Sequence, residues 1–330
     1  MKVLLDKQFV FIIGAARSGT TWLQAMIGAH PSVCTFGELQ LYEFYTTPWV
    51  AAWKRQVEFS DFNGLPTLWS EDELYHFLRE FLDRIYSQVL YTKPEATFIL
   101  DKHPGNSFYI EHIDKLLPNV KFIHMIRDGR DVAVSALAAS QSWGGLWAPK
   151  NIQSTASLWK ASVLGAKHAQ RYEGRYLEVK YEDFFANGVG TLKEVFEFIG
   201  APVDFEEVVS IFNSHQFERM KQRGTGTNQY TLPEAFFRKG QVGDWRSALT
   251  PTQRYVFHEV AGELLRELGY ETDAWWLEHR YQRFTLPCFA RLATRNGTSR
   301  EIIRAVKYVL GTKWTERLRT MRDYLGGCPL

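Results

Sequence analysis

Residues 9–22 leave this chain little freedom. Phe9 to Ile13 is an unbroken apolar run that leans to β-structure, and Gly14-Ala-Ala-Arg-Ser-Gly19 interrupts it. From Thr20, apolar residues recur at Trp22, Leu23, Met26 and Ile27, the spacing of one helix face. The pattern predicts a strand, a glycine turn and a helix that His30-Pro31 ends. A short strand that is apolar on both faces must be covered on both faces. Helices on either side of a parallel sheet do that.

The rest of the chain repeats the theme. Phe98 to Leu100, Phe122 to Ile126 and Tyr176 to Val179 read as further strands, and 71–89, 128–139 and 191–199 as helices. Residues 41–96 are aromatic-rich and otherwise irregular, and 41–69 is expected to line a pocket or form a lid. The predicted fold class is α/β: a P-loop-like parallel sheet with helices on both faces, a single domain over 1–280. A basic helical extension over 281–330 follows. That tail carries ten basic residues against three acidic ones, with Ile303, Val306 and Leu310 at helical spacing. It is read as a helix packed on the domain, with a surface that attracts anionic lipid or an anionic acceptor as the sharper alternative.

Composition removes several function classes. A net charge of +2 gives no reason to expect a nucleic-acid partner. Cys34, Cys288 and Cys328 are too few and too scattered for a disulfide framework or a metal site, which points to a reducing, cytoplasmic setting. Asp6, Lys7 and Gln8 interrupt the N-terminal apolar run, so it reads as a lead-in and a buried strand rather than a signal peptide. No run of about 18 apolar residues appears, and no membrane span is expected.

The glycine turn is built to hold a phosphate. Glycines let backbone N–H groups turn inward, and the following helix N-terminus favours an anion. Ser18, Thr20 and Thr21 add hydroxyls, and Arg17 adds a cation inside the loop. An ATP-binding P-loop carries Lys directly after its second glycine; here Thr20 follows Gly19. A second anion site is expected where Ile126-Arg127-Asp128-Gly129-Arg130-Asp131 ends a strand and opens a helix, with the Ser135 hydroxyl two turns on. Arg130 and Asp131 are expected on that helix's surface.

Arg17-Ser-Gly-Thr-Thr-Trp-Leu resembles the 5′-phosphosulfate loop of sulfotransferases that use 3′-phosphoadenosine 5′-phosphosulfate (PAPS). The Arg127 to Ser135 stretch resembles their 3′-phosphate segment. Phe237-Arg238-Lys239-Gly240-Gln-Val-Gly-Asp244-Trp245 resembles their C-terminal Arg-Lys-Gly…Gly-Asp-Trp motif. The resemblance implies PAPS as co-substrate, 3′,5′-ADP as product and no metal. It places Arg17, Ser18, Gly19, Thr20 and Thr21 on the 5′ side, and Arg127, Ser135, Arg238, Lys239 and Gly240 at the 3′-phosphate. Trp22, Tyr181 and Phe217 fall at adenine-side positions.

Lys102, in Asp101-Lys102-His103-Pro104, is similar to the family's leaving-group lysine. Two residues compete for the general base. Glu38 is placed like the catalytic Glu of tyrosylprotein and heparan members. His103 stands one position early for the His of cytosolic members, whose place holds Pro104. The catalytic candidates are therefore Arg17, Glu38, Lys102 and His103. The acceptor is expected to be a small molecule, a carbohydrate or a lipid-like alcohol, less readily an amine. Residues 246–255 lack the Val and Glu of a dimer motif found in cytosolic members. The alternatives are a P-loop kinase or NTPase, for which Asp101 would imitate the Mg²⁺-binding acid, and a non-catalytic nucleotide-binding protein.

Overall fold

The computed structural model describes residues 6–59, 63–223, 225–227, 230–233 and 236–271. All of them fall within the first of two units, Met1–Thr272. The basic extension expected over 281–330 lies outside the described residues.

Five parallel strands form the central sheet: β1 (Gln8–Ile13), β2 (Val33–Thr35), β3 (Phe98–Lys102), β4 (Lys121–Ile126) and β5 (Tyr176–Lys180), in the order β2-β3-β1-β4-β5. Phe11 pairs with Asp101 on one side and Phe122 on the other. Alternation along β1 divides the core. Phe9, Phe11 and Ile13 face one cluster, and Val10 and Ile12 face the other.

The first face is covered by α3 (Glu71–Leu90), with α2 (Thr47–Phe59) beside it and α4 (Ile110–Leu116) following β3. Helix α3 starts at a capping box: Ser70 Oγ accepts from Glu73 N, and Glu73 Oε2 accepts from Ser70 N. Its buried residues Leu74, Leu78, Leu82, Tyr86 and Leu90 recur every fourth position, a stripe aimed at the sheet. The second face is covered by α1 (Thr20–Gly28) and α7 (Tyr181–Ile199). A third cluster joins α5 (Gly129–Ser140), α6 (Ile152–Lys167) and α11 (Pro251–Glu267) through Trp159, Val163, Phe257 and Leu264. The short helices α8 (Phe205–Ser214), α9 (Phe217–Arg223) and α10 (Trp245–Ala248), and the hairpin β6–β7 (Thr225–Thr227, Tyr230–Thr231), lie between α7 and α11 in the chain. Among the described residues no helix is long and apolar enough to cross a membrane.

Three expectations need correction. Residues 41–59 are not irregular: a π-helical turn, Tyr42–Thr46, runs straight into α2. Helix α7 begins at Tyr181, ten residues before the predicted start, and bends at Asn187, whose φ of −149° breaks the helical pattern. Arg130 and Asp131 are buried, not on the surface. Asp131 accepts from the backbone N–H groups of Gly243 (2.6 Å) and Trp245 (2.9 Å). Arg130 forks onto Asp128, reaches Tyr270 O at 2.8 Å, and lies 3.9 Å over the Trp245 ring. Both side chains tie the C-terminal Gly-Asp-Trp segment to the end of β4.

Candidate active site

The C-terminal ends of four adjacent strands deliver the site. The glycine loop follows β1, Lys102 and His103 end β3, Arg127 follows β4, and Tyr181 follows β5. All border one cavity of about 790 Å³, the position open α/β sheets reserve for ligands.

In the loop, Gly14, Arg17 and Gly19 have positive φ of 130°, 72° and 96°. Glycine is required at both of its positions: a Cβ at 14 would stand 2.3 Å from Met125 O, and one at 19 would stand 2.6 Å from the Tyr181 ring. Arg17 is the residue that holds a left-handed backbone without that excuse. Its side chain turns into the cavity, where Nε donates to Ser135 Oγ (3.1 Å) and Nη2 to Phe236 O (2.5 Å). The guanidinium also packs over Phe236 and Trp143. Burial, then the charges of Arg127 and Arg238, push Arg17 down to about 10.

Arg127 is 6% exposed and lies 4.1 Å over the Tyr181 ring. Its Nη2 donates to Gln241 O at 2.7 Å. Arg238 and Lys239 both donate to Asp244, at 2.5 and 2.9 Å. Tyr181 Oη donates to Gly240 O (2.8 Å), and Trp22 Nε1 to His215 O (2.6 Å). Gly240, with φ of +65°, lets Phe217 lie where a Cβ would stand 2.5 Å from its ring. These contacts gather Trp22, Tyr181 and Phe217 at the cavity. Ser18 is buried under the loop rather than on the cavity wall. Three buried donors in this region, Ser18 Oγ and the Nε atoms of Arg127 and Arg238, have no hydrogen-bond partner. Converging cations with unsatisfied donors fit a multiply charged anion.

A polar cluster stands at the end of β3. Lys102 is 2% exposed, and its ammonium donates to Thr21 Oγ1 (3.1 Å) and to Glu38 Oε1. Glu38 Oε2 faces His103 Nδ1 at 3.0 Å. Burial opposes ionisation of Glu38, but the hydrogen bond from His103 and the charge of Lys102 outweigh it and hold the carboxyl down to about 2. The other ring nitrogen of His103, Nε2, faces Glu43 Oε2 at 3.0 Å.

Asp101 has a different position. It is buried on the first face of the sheet, accepts from Tyr86 (2.9 Å) and Asn106 (3.0 Å), and does not border the cavity. Burial pushes it up to about 6. It is poorly placed to imitate the metal-binding acid of a kinase. Sequence reasoning missed Glu43, Trp143, Phe236 and Asp131. Only Asp131 carried a signal, an acid in the first turn of a helix that follows a strand.

Comparison with known proteins identifies the family. A model of the Sulfotransferase family matches residues 9–207. A putative protein-tyrosine sulfotransferase of Caenorhabditis briggsae is 31% identical over 131 residues, 40% of this chain and 43% of that protein. Sulfotransferase 2A1 of Rattus norvegicus is 27% identical over 161 residues, 43% of this chain and 56% of that protein. The chain thus spans about half the length of these curated relatives. Among solved structures, mouse sulfotransferase SULT7A1 complexed with PAP superposes with a TM-score of 0.53 at 20% identity, over 80% of this chain and 88% of that one. A sulfotransferase domain from the curacin biosynthetic pathway gives 0.52 at 16% identity, over 78% and 97%. At such identities these two speak for the fold. The family match runs from β1 into α8 and takes in the glycine loop, Glu38, Lys102 and Arg127, so this chain belongs to the sulfotransferase family.

Proposed function

We propose that the chain moves the sulfuryl group of PAPS to an acceptor hydroxyl by direct in-line displacement. The bond between the acceptor oxygen and sulfur forms, and the bond from sulfur to the 5′-phosphate oxygen breaks. The hydroxyl proton passes to a base, and 3′,5′-ADP leaves. One observation carries this reading. Arg17, Arg127 and Arg238 converge on one cavity, with unpartnered donors on Arg127 and Arg238, beside a lysine and a carboxylate held together.

In this reading the loop N–H groups, Gly19, Thr20 and Thr21 hold the 5′ side, with Ser18 left behind the cavity wall, and Arg127, Ser135, Arg238, Lys239 and Gly240 hold the 3′-phosphate. Trp22, Tyr181 and Phe217 enclose the adenine. Charge grows on the departing oxygen, and Arg17 and Lys102 stabilise it; fixed cations in a dry site are effective there. Glu38 is the base. His103 has a carboxylate at each ring nitrogen, so neither nitrogen offers a lone pair. Lys102 serves both halves of the step: as its ammonium turns to the departing oxygen, Glu38 Oε1 is released to take the proton.

Phe44, Phe108, Trp147 and Leu158 also border the cavity and suit an acceptor with an aromatic or lipid-like body. A buried thiol at Cys34, together with likeness to a cytosolic sulfotransferase of Arabidopsis thaliana (22% identity over 290 residues), supports a cytoplasmic setting.

Calorimetric titration with 3′,5′-ADP, with 5′-AMP as control, tests the donor site. Binding should require the 3′-phosphate and should fall by roughly 10–100-fold in Arg127→Ala, the loss of a charge-assisted phosphate contact. Equal affinity for the two nucleotides would remove the reading.

A further inference from the structure

Glu43 has no part in the transfer described above, yet the fold makes specific room for it. It sits in the π-helical turn Tyr42–Thr46 on the cavity wall, with its carboxylate 3.0 Å from His103 Nε2. The opposite ring nitrogen, Nδ1, is 3.0 Å from Glu38 Oε2. A ring nitrogen that faces a carboxylate is a donor, so a ring between two carboxylates is an imidazolium with both N–H bonds in use. Gly105 provides the space: a Cβ there would stand 2.6 Å from both Glu43 Oε2 and His103 Nε2.

The other charges around the ring do not compete for it. Lys102 is engaged with Thr21 and Glu38. Asp101 is engaged with Tyr86 and Asn106. Burial disfavours a charged His103, but the hydrogen bonds and charges of Glu38 and then Glu43 prevail and raise it above its ordinary value.

We infer that Glu43 is a positioning residue for proton transfer: it clamps His103 as a donor at both nitrogens, and His103 in turn holds Glu38 with Oε1 turned toward Lys102. The inference rests on the proposed sulfuryl transfer, in which Glu38 takes the proton. Without Glu43 the ring loses one of its two carboxylates and is neutral over more of the pH range. Its Nδ1 then presents either a proton or a lone pair to Glu38, and the carboxylate loses its fixed orientation.

The test uses the full chain, wild type beside Glu43→Gln and Gly105→Ala. One readout is the ring-nitrogen NMR titration of His103. The other is the pH profile of PAPS turnover with water as acceptor, which needs no identified acceptor. In Glu43→Gln, His103 should titrate at lower pH. Turnover should fall by about 10–100-fold, the scale of a misplaced reacting group, with a new limb that declines as pH rises through the lowered His103 titration. Affinity for 3′,5′-ADP should stay within about twofold. Gly105→Ala should reproduce the limb, because its methyl displaces the same contact. An unchanged His103 titration and pH profile in Glu43→Gln, with 3′,5′-ADP binding intact, overturns the clamp alone. Failure of the wild type to bind 3′,5′-ADP strikes the transfer reading and the catalytic role of Glu43 with it.

Discussion

Lys102 is a buried ammonium with two hydrogen-bond partners, and one of them, Glu38, is the proposed base. Replacing it by methionine keeps the stem and removes the charge. PAPS turnover should then fall by about 10²–10³-fold, as for loss of one fixed group at a developing charge. Titration with 3′,5′-ADP should change by no more than roughly threefold, since other residues are proposed to hold the phosphates. A large loss of nucleotide affinity instead would make Lys102 a binding residue. Gly19 is constrained differently. Its φ of +96° and the 2.6 Å gap from a Cβ to the Tyr181 ring mean that Gly19→Ala strains the loop and displaces Tyr181, the aromatic proposed for the adenine side, together. The expected cost is about 1–3 kcal/mol of stability, with weakened 3′,5′-ADP binding. Urea unfolding and calorimetry on the same variant separate the two effects. Of the residues in the acid–base cluster, Lys102, His103 and Glu38 could be found from the resemblance of their segments to sulfotransferase motifs. Glu43 could not. It lies in an aromatic run, and its partner is 60 positions away in sequence.

At the scale of elements, what the sequence revealed follows from how each segment is buried. Strands β1, β3 and β4 are buried on both faces, so their apolar runs stand out between polar neighbours. Strand β2 has three residues, too few for a pattern. Helix α6 was missed because small and polar residues form much of its buried stripe, with Thr155, Ala156 and Ser162 alongside Trp159 and Val163. Helix α11 starts at Thr250-Pro251, a segment weighed in sequence as a dimer motif; in the structure Thr250 and Gln253 form a capping box with Pro251 in the first turn. The Gly-Asp-Trp segment is anchored by Asp131 at the start of α5, a link that joins residues more than 110 positions apart. Asp131→Ala would leave two backbone N–H groups without their acceptor, at about 2–5 kcal/mol. Urea denaturation should show that loss. Binding of 3′,5′-ADP should weaken with it, because Arg238, Lys239 and Gly240 lie on the segment that comes free. Unchanged affinity would mean that the segment docks without Asp131.

For the molecule as a whole, buried titratable groups set a pH window for stability, and their signs oppose one another. Burial, then the charge of Lys167, lowers His124 to about 3, and burial, then Lys115 and Lys54, lowers His112 to about 4. The unfolded chain binds protons at these histidines below about pH 6.5, while the fold does not. Each therefore removes stability as pH falls from there toward its folded value. Asp101 acts the other way. Its carboxyl is raised to about 6, so the fold holds a proton that the unfolded chain has released, and its contribution grows as pH falls. Glu38, held down to about 2, adds to the acid loss only below the ordinary carboxylate range. On the alkaline side His103 dominates. Its folded value is raised, so the stability that it contributes is complete below its unfolded value and is lost as pH rises through the folded one. Burial raises the carboxyls of Asp131 and Glu182 as well, so they act with Asp101 against the two histidines, and the acid side is the balance of these buried groups. Above pH 7 the loss of the His103 proton should lower the urea midpoint of the wild type. The alkaline fall should shrink in Glu43→Gln, where His103 keeps one carboxylate, while the slope between pH 5 and 6, to which His112, His124, Asp131 and Glu182 contribute outside that cluster, stays the same. A slope that changes there in that variant would place its origin in the active-site cluster rather than in the buried groups outside it.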